Sequence, residues 1–335
     1  MIEKTSMLKD NWGRKIDYLR IAVTDRCNLR CFYCMPEEGI NYLPRKELLT
    51  YEELLRLIHI FSRLGITKIR ITGGEPFLRK NLVEFSREIK KIPGINSIHI
   101  TTNGVLTHAY LDKFESMGIK SVNLSLDTLD RDKFKLITRR DELNNVIKTL
   151  QGLKDRNIKT KVNMVVMEGK NTDDIIPMLR LAKDDPVDVR YIEEMPFNGG
   201  VSSNTSLTWN HSRIIETIQQ VHPSTRQVPS PINATAREYQ IDGYVGRIGV
   251  IPAYSRTFCG TCNRIRLTAQ GVIRTCLYND GGVDFRRLLR TGCDDQQIAD
   301  AFIDLISKRA RDGFEAEKNR SNPNTISESM SSIGG

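Results

Sequence analysis

The chain has 335 residues, 39% hydrophobic and 27% charged, the make-up of a folded protein large enough for one α/β domain or a domain with an appendage. Its 50 Lys and Arg against 41 Asp and Glu leave a formal +9, which favours an anionic partner; the basic residues are scattered singly, so no nucleic acid is expected. No apolar run approaches membrane-spanning length, and residues 1–12 are charged and lack the apolar core of a signal peptide, so no membrane partner and a cytoplasmic location are expected.

Short β-rich runs alternate with amphipathic stretches through the first two-thirds. Strands are predicted at residues 17–23, 68–72, 97–102, 121–126, 159–166 and 187–193, with helical patterns at 51–64, 80–91, 107–117, 131–137, 141–155 and 173–183. Thr50 followed by Glu53 opens the first helix with a capping box. Six β-then-α units imply a parallel sheet, and six are too few for a closed eight-stranded barrel. The expected fold is therefore α/β, an incomplete TIM-like (β/α)6 barrel over residues 1–195. Past residue 195 the alternation breaks: a Gly/Ser/Thr/Asn-rich loop at 198–210, a helix near 211–220, a connection at 228–236, strands at 239–241 and 246–251, and a helix near 296–310. Residues 196–320 read as a C-terminal extension and 321–335 as a flexible polar tail ending in Gly-Gly.

Cys27, Cys31 and Cys34 lie within eight residues just after the first strand, spaced C-x3-C-x2-C. Three thiolates from one loop suit a cubane iron–sulfur cluster and leave its fourth iron without a protein ligand. Structural zinc wants four closed ligands, and three cysteines this close cannot pair off as disulfides, so both alternatives are weaker. The second strand runs into Gly73-Gly74-Glu75-Pro76, which alone could be an ordinary tight turn.

Cys259, Cys262 and Cys276 form a second group, C-x2-C-x13-C. Another three-thiolate cluster with an open iron is the favoured reading, while a zinc ribbon completed by Cys293 stays open as an alternative. Cys293 lacks a partner two residues away and is expected to be an incidental thiol. Arg264 and Arg266 follow at a spacing that puts both on one face of a strand, where guanidinium forks match phosphate oxygens. Arg20, Arg70 and Lys161, on inward strand positions, would be costly to bury without an anion.

The first cysteine motif, with Tyr33 before its last Cys, and the Gly-Gly-Glu-Pro turn resemble those of radical S-adenosylmethionine enzymes. With the second triad, Arg-x-Arg and the terminal Gly-Gly added, the whole chain resembles the GTP 3′,8-cyclase family of molybdenum cofactor biosynthesis. That resemblance implies two [4Fe-4S] clusters, the first on Cys27, Cys31 and Cys34, the second on Cys259, Cys262 and Cys276. It implies S-adenosylmethionine against Tyr33, Gly74, Ser125 and Met195, and GTP as substrate against Arg20, Arg70, Thr101, Lys161, Arg264, Ile265 and Arg266, with Arg190 a further phosphate contact. A deoxyadenosyl radical would take hydrogen from C3′ of the ribose, and the C3′ radical would then add to C8 of guanine. Gly334 and Gly335 would reach into the site as a catalytic tail. The resemblance further implies a low-potential electron donor, with cyclic pyranopterin monophosphate synthase, the next enzyme, as product acceptor; a homodimer is left open. The competing readings are a radical peptide maturase with an auxiliary cluster and a zinc-stapled nucleic-acid binder, which would leave the first cysteine loop unexplained.

Overall fold

A computed structural model describes residues 8–195, 207–320 and 330–334. Six strands follow one another in parallel: β1 (Tyr18–Ala22), β2 (Lys68–Thr72), β3 (Ser97–Thr102), β4 (Ile119–Ser125), β5 (Lys159–Val166) and β6 (Val187–Glu193). They are interleaved with α1 (Tyr51–Arg63), α2 (Leu82–Lys91), α3 (Phe114–Met117), α4 (Arg131–Thr138), α5 (Leu143–Asp155) and α6 (Ile175–Lys183). The capping box at Thr50 is formed: Glu53 N donates to Thr50 Oγ1 at 3.1 Å, and Thr50 N to Glu53 Oε2 at 2.7 Å. Such caps contribute about 1 kcal/mol. The helix expected over 107–117 is instead a 3-10 helix over Thr107–Lys113 that passes into α3, with the Thr107 hydroxyl held 2.7 Å from that of Thr102.

After β6 come α7 (His211–Val221), β7 (Arg226–Val228), β8 (Arg237–Gln240), β9 (Ile248–Ile251), β10 (Arg264–Leu267), β11 (Val272–Arg274), β12 (Val283–Asp284), α8 (Phe285–Arg290), α9 (Asp295–Ser307), α10 (Gly313–Lys318) and α11 (Met330–Ile333). Among the described residues the twelve strands form one sheet, ordered β12-β11-β10-β1-β2-β3-β4-β5-β6-β9-β8-β7. The change of pattern after residue 195 is thus no break in the sheet. β10 adds in parallel beside β1 and β9 beside β6, extending the six-stranded core at both edges, while the end strands β12 and β7 do not pair with each other, so the barrel stays open.

The pleat sorts the side chains. Leu19, Ile21, Ile69, Ile71, Ile98, Ile100, Val122, Leu124, Val162, Met164, Val189 and Tyr191 alternate along the strands and pack into the main apolar core beneath the helices. α9 joins that layer, with Phe302 stacked on Phe61 of α1 at 4.0 Å between centroids. The other face carries polar residues in matched rows. Arg20 lies in register between Arg70 and Arg266, with His99 opposite Arg70, and Thr101, Asn123, Lys161 and Asp188 form a second row across β3 to β6. Among the described residues, no helix is long and apolar enough to cross a membrane.

Candidate active site

The carboxyl ends of the parallel strands open onto a cavity of about 340 Å³. Both cysteine triads line it: Cys27, Cys31 and Cys34 on one side, Cys259, Cys262 and Cys276 on the other. Tyr33, Gly74, Thr101, Ser125, Arg190, Met195, Arg20, Arg264 and Arg266 line it as well.

The first triad sits in a loop stapled to the end of β2. Gly74 N donates to Thr24 O and Glu75 N to Arg26 O, both at 2.8 Å. A Cβ at Gly74 would lie 2.2 Å from Arg26 O, and one at Gly73, where φ is +146°, 2.4 Å from Thr24 O. The two glycines are therefore required by the close approach of the cysteine loop's own backbone. Glu75 is fully buried and accepts from Asn103 N at 2.8 Å, Phe77 N at 3.2 Å and the Thr102 hydroxyl at 2.9 Å; burial pushes its carboxyl up to about 7, against those bonds. Asn103 Nδ2 reaches Cys27 Sγ at 3.6 Å. Tyr33 OH donates to Asp127 Oδ2 at 2.8 Å, and burial raises that carboxyl to about 6. Burial also raises the Cys27 thiol to about 11 and Cys31 well above its ordinary value.

In the second triad the thiols diverge, with Cys276 raised by burial as in the first triad and Cys262 lowered. Burial alone would raise the Cys262 thiol, but Arg264 and Arg309 outweigh it and bring it to about 6. Cys259 is raised by burial to about 11. Cys293 lies apart, packed against the main core beneath the helices, and is not among the cavity's lining residues, so it does not complete a four-cysteine site there. Among the described residues, no three His, Cys, Asp or Glu side chains converge on a point that could hold a single ion. A cubane takes each of three thiolates on a different iron. The two donor sets, three thiolates each beside an open cavity, fit clusters of that kind.

The wall between the triads is cationic. Burial, then repulsion by Arg266, lowers Arg20 to about 9; burial and Arg264 lower Arg266 to about 10; burial and Arg190 lower Lys161 to about 8. Burial would raise the Tyr18 phenol, yet Arg70, Arg20 and Lys68 bring it down to about 7. Asn123 Oδ1, Asn163 Oδ1 and Arg264 Nη2 are buried in this wall without a hydrogen-bond partner among the described residues. Clustered buried cations beside unpartnered buried polar atoms fit an anionic, polar ligand.

Other predicted residues divide between the cavity rim and the layer behind it. Arg70 is buried below the cavity, donating to Tyr18 OH, to Ile100 O at 3.0 Å and toward Thr101 Oγ1 at 3.4 Å. Lys161 pairs with Asp188 at 3.2 Å and Arg190 with Glu238 at 3.8 Å. Ile265 points its side chain into the apolar core, away from the face that Arg264 and Arg266 share. Met195 touches Tyr278 OH through Sδ at 3.1 Å and packs with Cys276 and Met330, on the second triad's side. Met330–Ile333 form a helical turn where a flexible tail was expected, and Met330 and Ser331 line the cavity. Gly334 is buried with φ +83°, and its carbonyl accepts from Arg266 Nη1; a Cβ there would lie 2.7 Å from Thr72 Cγ2. Gly335 lies outside the described residues.

Sequence reasoning missed Asp127, Asn103, Asn123, Asn163 and Tyr278. Asp127 was within reach, because it is two positions beyond Ser125 and shares its side of the chain.

Residues 21–182 match the Radical SAM superfamily and residues 187–314 match Molybdenum Cofactor Synthesis C. The chain is 42% identical to GTP 3′,8-cyclase of Thermodesulfovibrio yellowstonii, covering 89% of this chain and 93% of that protein, and 38% identical to GTP 3′,8-cyclase of Clostridium perfringens, covering 87% and 90%. It is 39% identical to molybdenum cofactor biosynthesis protein 1 of Homo sapiens over 92% of this chain, and spans about half the length of the relatives of that name. Among solved structures, Streptococcus suis SuiB bound to precursor peptide SuiA superposes with a TM-score of 0.62 over 96% of this chain and 72% of that one, at 15% identity, a likeness of fold. With near-complete coverage of two cyclases above 30% identity, the chain belongs to the GTP 3′,8-cyclase family within the radical S-adenosylmethionine superfamily.

Proposed function

We propose that this chain converts GTP to (8S)-3′,8-cyclo-7,8-dihydroguanosine 5′-triphosphate, the first step of molybdenum cofactor biosynthesis. The observation that carries the reading is the shared cavity: two open three-thiolate donor sets face each other across an arginine-lined wall. When bound, S-adenosylmethionine and a [4Fe-4S] cluster on Cys27, Cys31 and Cys34 supply a carbon radical able to remove a ribose hydrogen.

The protein's own work is to hold the nucleotide still and dry. Arg20, Arg264 and Arg266, with Arg190 at the wall and Arg70 and Lys161 behind, form the binding site for the triphosphate, and the phosphates relieve their mutual repulsion. Cys259, Cys262 and Cys276 would hold a second [4Fe-4S] cluster able to take the guanine, and gripping the nucleotide at base and phosphates would keep C3′ and C8 within reach of each other. Tyr33, oriented by Asp127, together with Gly74 and Ser125, borders the S-adenosylmethionine side. Gly334 brings the tail to Arg266. The reaction needs a low-potential one-electron donor and hands its product to cyclic pyranopterin monophosphate synthase, in the cytoplasm.

The test is anaerobic reconstitution with iron and sulfide, then addition of GTP, S-adenosylmethionine and a chemical reductant. GTP-dependent 5′-deoxyadenosine together with a cyclised nucleotide of the same mass as GTP is the expected result. Deoxyadenosine formed equally well without GTP would contradict it.

A further inference from the structure

Arg309 is only 4% exposed, although it sits in a charged stretch after α9 that reads as solvated helix end. All of its guanidinium nitrogens are engaged. Nε donates to Thr275 O at 3.1 Å, Nη1 to Cys262 O at 2.7 Å, and Nη2 to Arg264 O at 3.1 Å and to Cys262 Sγ at 3.1 Å. Nη1 also lies 3.5 Å from Asp10 Oδ2. One side chain thus grips a ligand thiolate, that ligand's own carbonyl and the carbonyl immediately before a second ligand, Cys276.

The N-terminal segment brackets this fork. Asp10 is 6% exposed and pairs with Arg14 Nε at 2.6 Å; Arg14 Nη1 in turn donates to Cys259 O at 3.1 Å and Nη2 to Ala310 O at 2.7 Å. Trp12 Nε1 donates to Arg309 O at 2.9 Å. A buried ion pair of this kind is weak evidence for stability alone, since desolvating the charges offsets their attraction. Here every donor of the fork is spent on the second triad's frame or on its bracket, which a lysine with its single nitrogen could not reproduce.

We infer that Arg309 is a positioning residue that fixes Cys262 and sets the reduction potential of the cluster on the second triad, with Asp10 holding Arg309 in place. The inference rests on the two-cluster reading above. Hydrogen bonds to cluster sulfurs and a nearby positive charge favour the reduced, more negative state and raise the potential.

The test uses the full chain with Cys27→Ser, Cys31→Ser and Cys34→Ser, so that only the second cluster contributes to an EPR-monitored redox titration. Adding Arg309→Gln is expected to lower the ratio of reduced to oxidised cluster at fixed potential at least tenfold, a shift of about 59 mV for one electron. Arg309→Lys, which keeps charge but not the fork, should move it the same way by less. An Arg309→Gln chain that retains its iron and titrates like the parent would overturn the inference. If that variant loses its iron, a parental potential in Arg309→Lys would overturn it instead. A parent chain that takes up no iron would refute the cluster reading itself, and this inference with it.

Discussion

The two cysteine triads face one chamber but are built from different chemistry. The first comes from a single eight-residue loop, pinned by backbone bonds to the Gly-Gly turn and bordered by the buried carboxyls of Glu75 and Asp127. The second draws on a turn and on the far end of β11, and is bordered by Arg264, Arg266 and Arg309. Burial leaves Cys27 reluctant to ionise, whereas arginines overcome burial at Cys262.

The sharpest way to break this contrast is to remove one triad at a time. Cys31→Ser should halve the iron of reconstituted protein, from about eight to about four per chain, and abolish deoxyadenosine formation. If cyclisation survived that change, the first loop would not be the radical-generating side. Next in size is the anion wall. Arg266→Ala should cost about 2 kcal/mol of GTP binding, roughly 30-fold in Kd by calorimetry, because a charged, bidentate contact is lost. The same change should leave S-adenosylmethionine affinity unaltered if the two halves are as distinct as their charges.

Gly334→Val tests the tail. A side chain there meets Thr72 Cγ2 at 2.7 Å on a backbone with φ +83°, so the segment must leave Arg266. Turnover is expected to fall about tenfold, while thermal stability changes by only about 1 kcal/mol. An unchanged turnover would detach the tail from the site.

Tyr18 provides a titration that reports on the anion site directly. Its phenol is held near 7 by Arg70, Arg20 and Lys68 against the opposing effect of burial, well below the ordinary value near 10. Because the folded value is depressed, the stabilisation from tyrosinate is complete above the unfolded value and is lost as pH falls through about 7. Tyrosinate absorbance should therefore rise between about pH 6 and 8 and vanish in Tyr18→Phe. Inorganic triphosphate, by neutralising the arginines, should shift that rise to higher pH; no shift would mean the anion binds elsewhere. Smallest of all, Thr50→Ala on the helix side should cost about 1 kcal/mol of stability and leave both ligands' affinities untouched, a control for changes transmitted through the fold.

The six core strands were legible because β-branched residues alternate with polar ones over five or more positions, long enough for the period to show. β7, β11 and β12 have only two or three residues each, and no periodicity can register in so few. The pairing of β10 beside β1 joins residues more than two hundred positions apart, so that Arg266 lies opposite Arg20, a juxtaposition no local pattern contains. The inward basics were readable from the cost of burying them, and the cysteine spacings from ligand chemistry. The tail was not: a Ser/Asn-rich stretch has the composition of a frayed end, and only family resemblance pointed Gly334 toward the site. Arg309 was hidden for the same reason, since its burial depends on the N-terminal segment folding across it.

The most direct measurement follows one hydrogen. With GTP deuterated at C3′ of the ribose, the intact protein should release 5′-deoxyadenosine that carries the deuterium, and Cys262→Ser should still bind S-adenosylmethionine but transfer little label and form no cyclised nucleotide. Full label transfer and cyclisation in Cys262→Ser, or unlabelled deoxyadenosine from the intact protein, would show that the two triads do not act on one substrate in a common chamber.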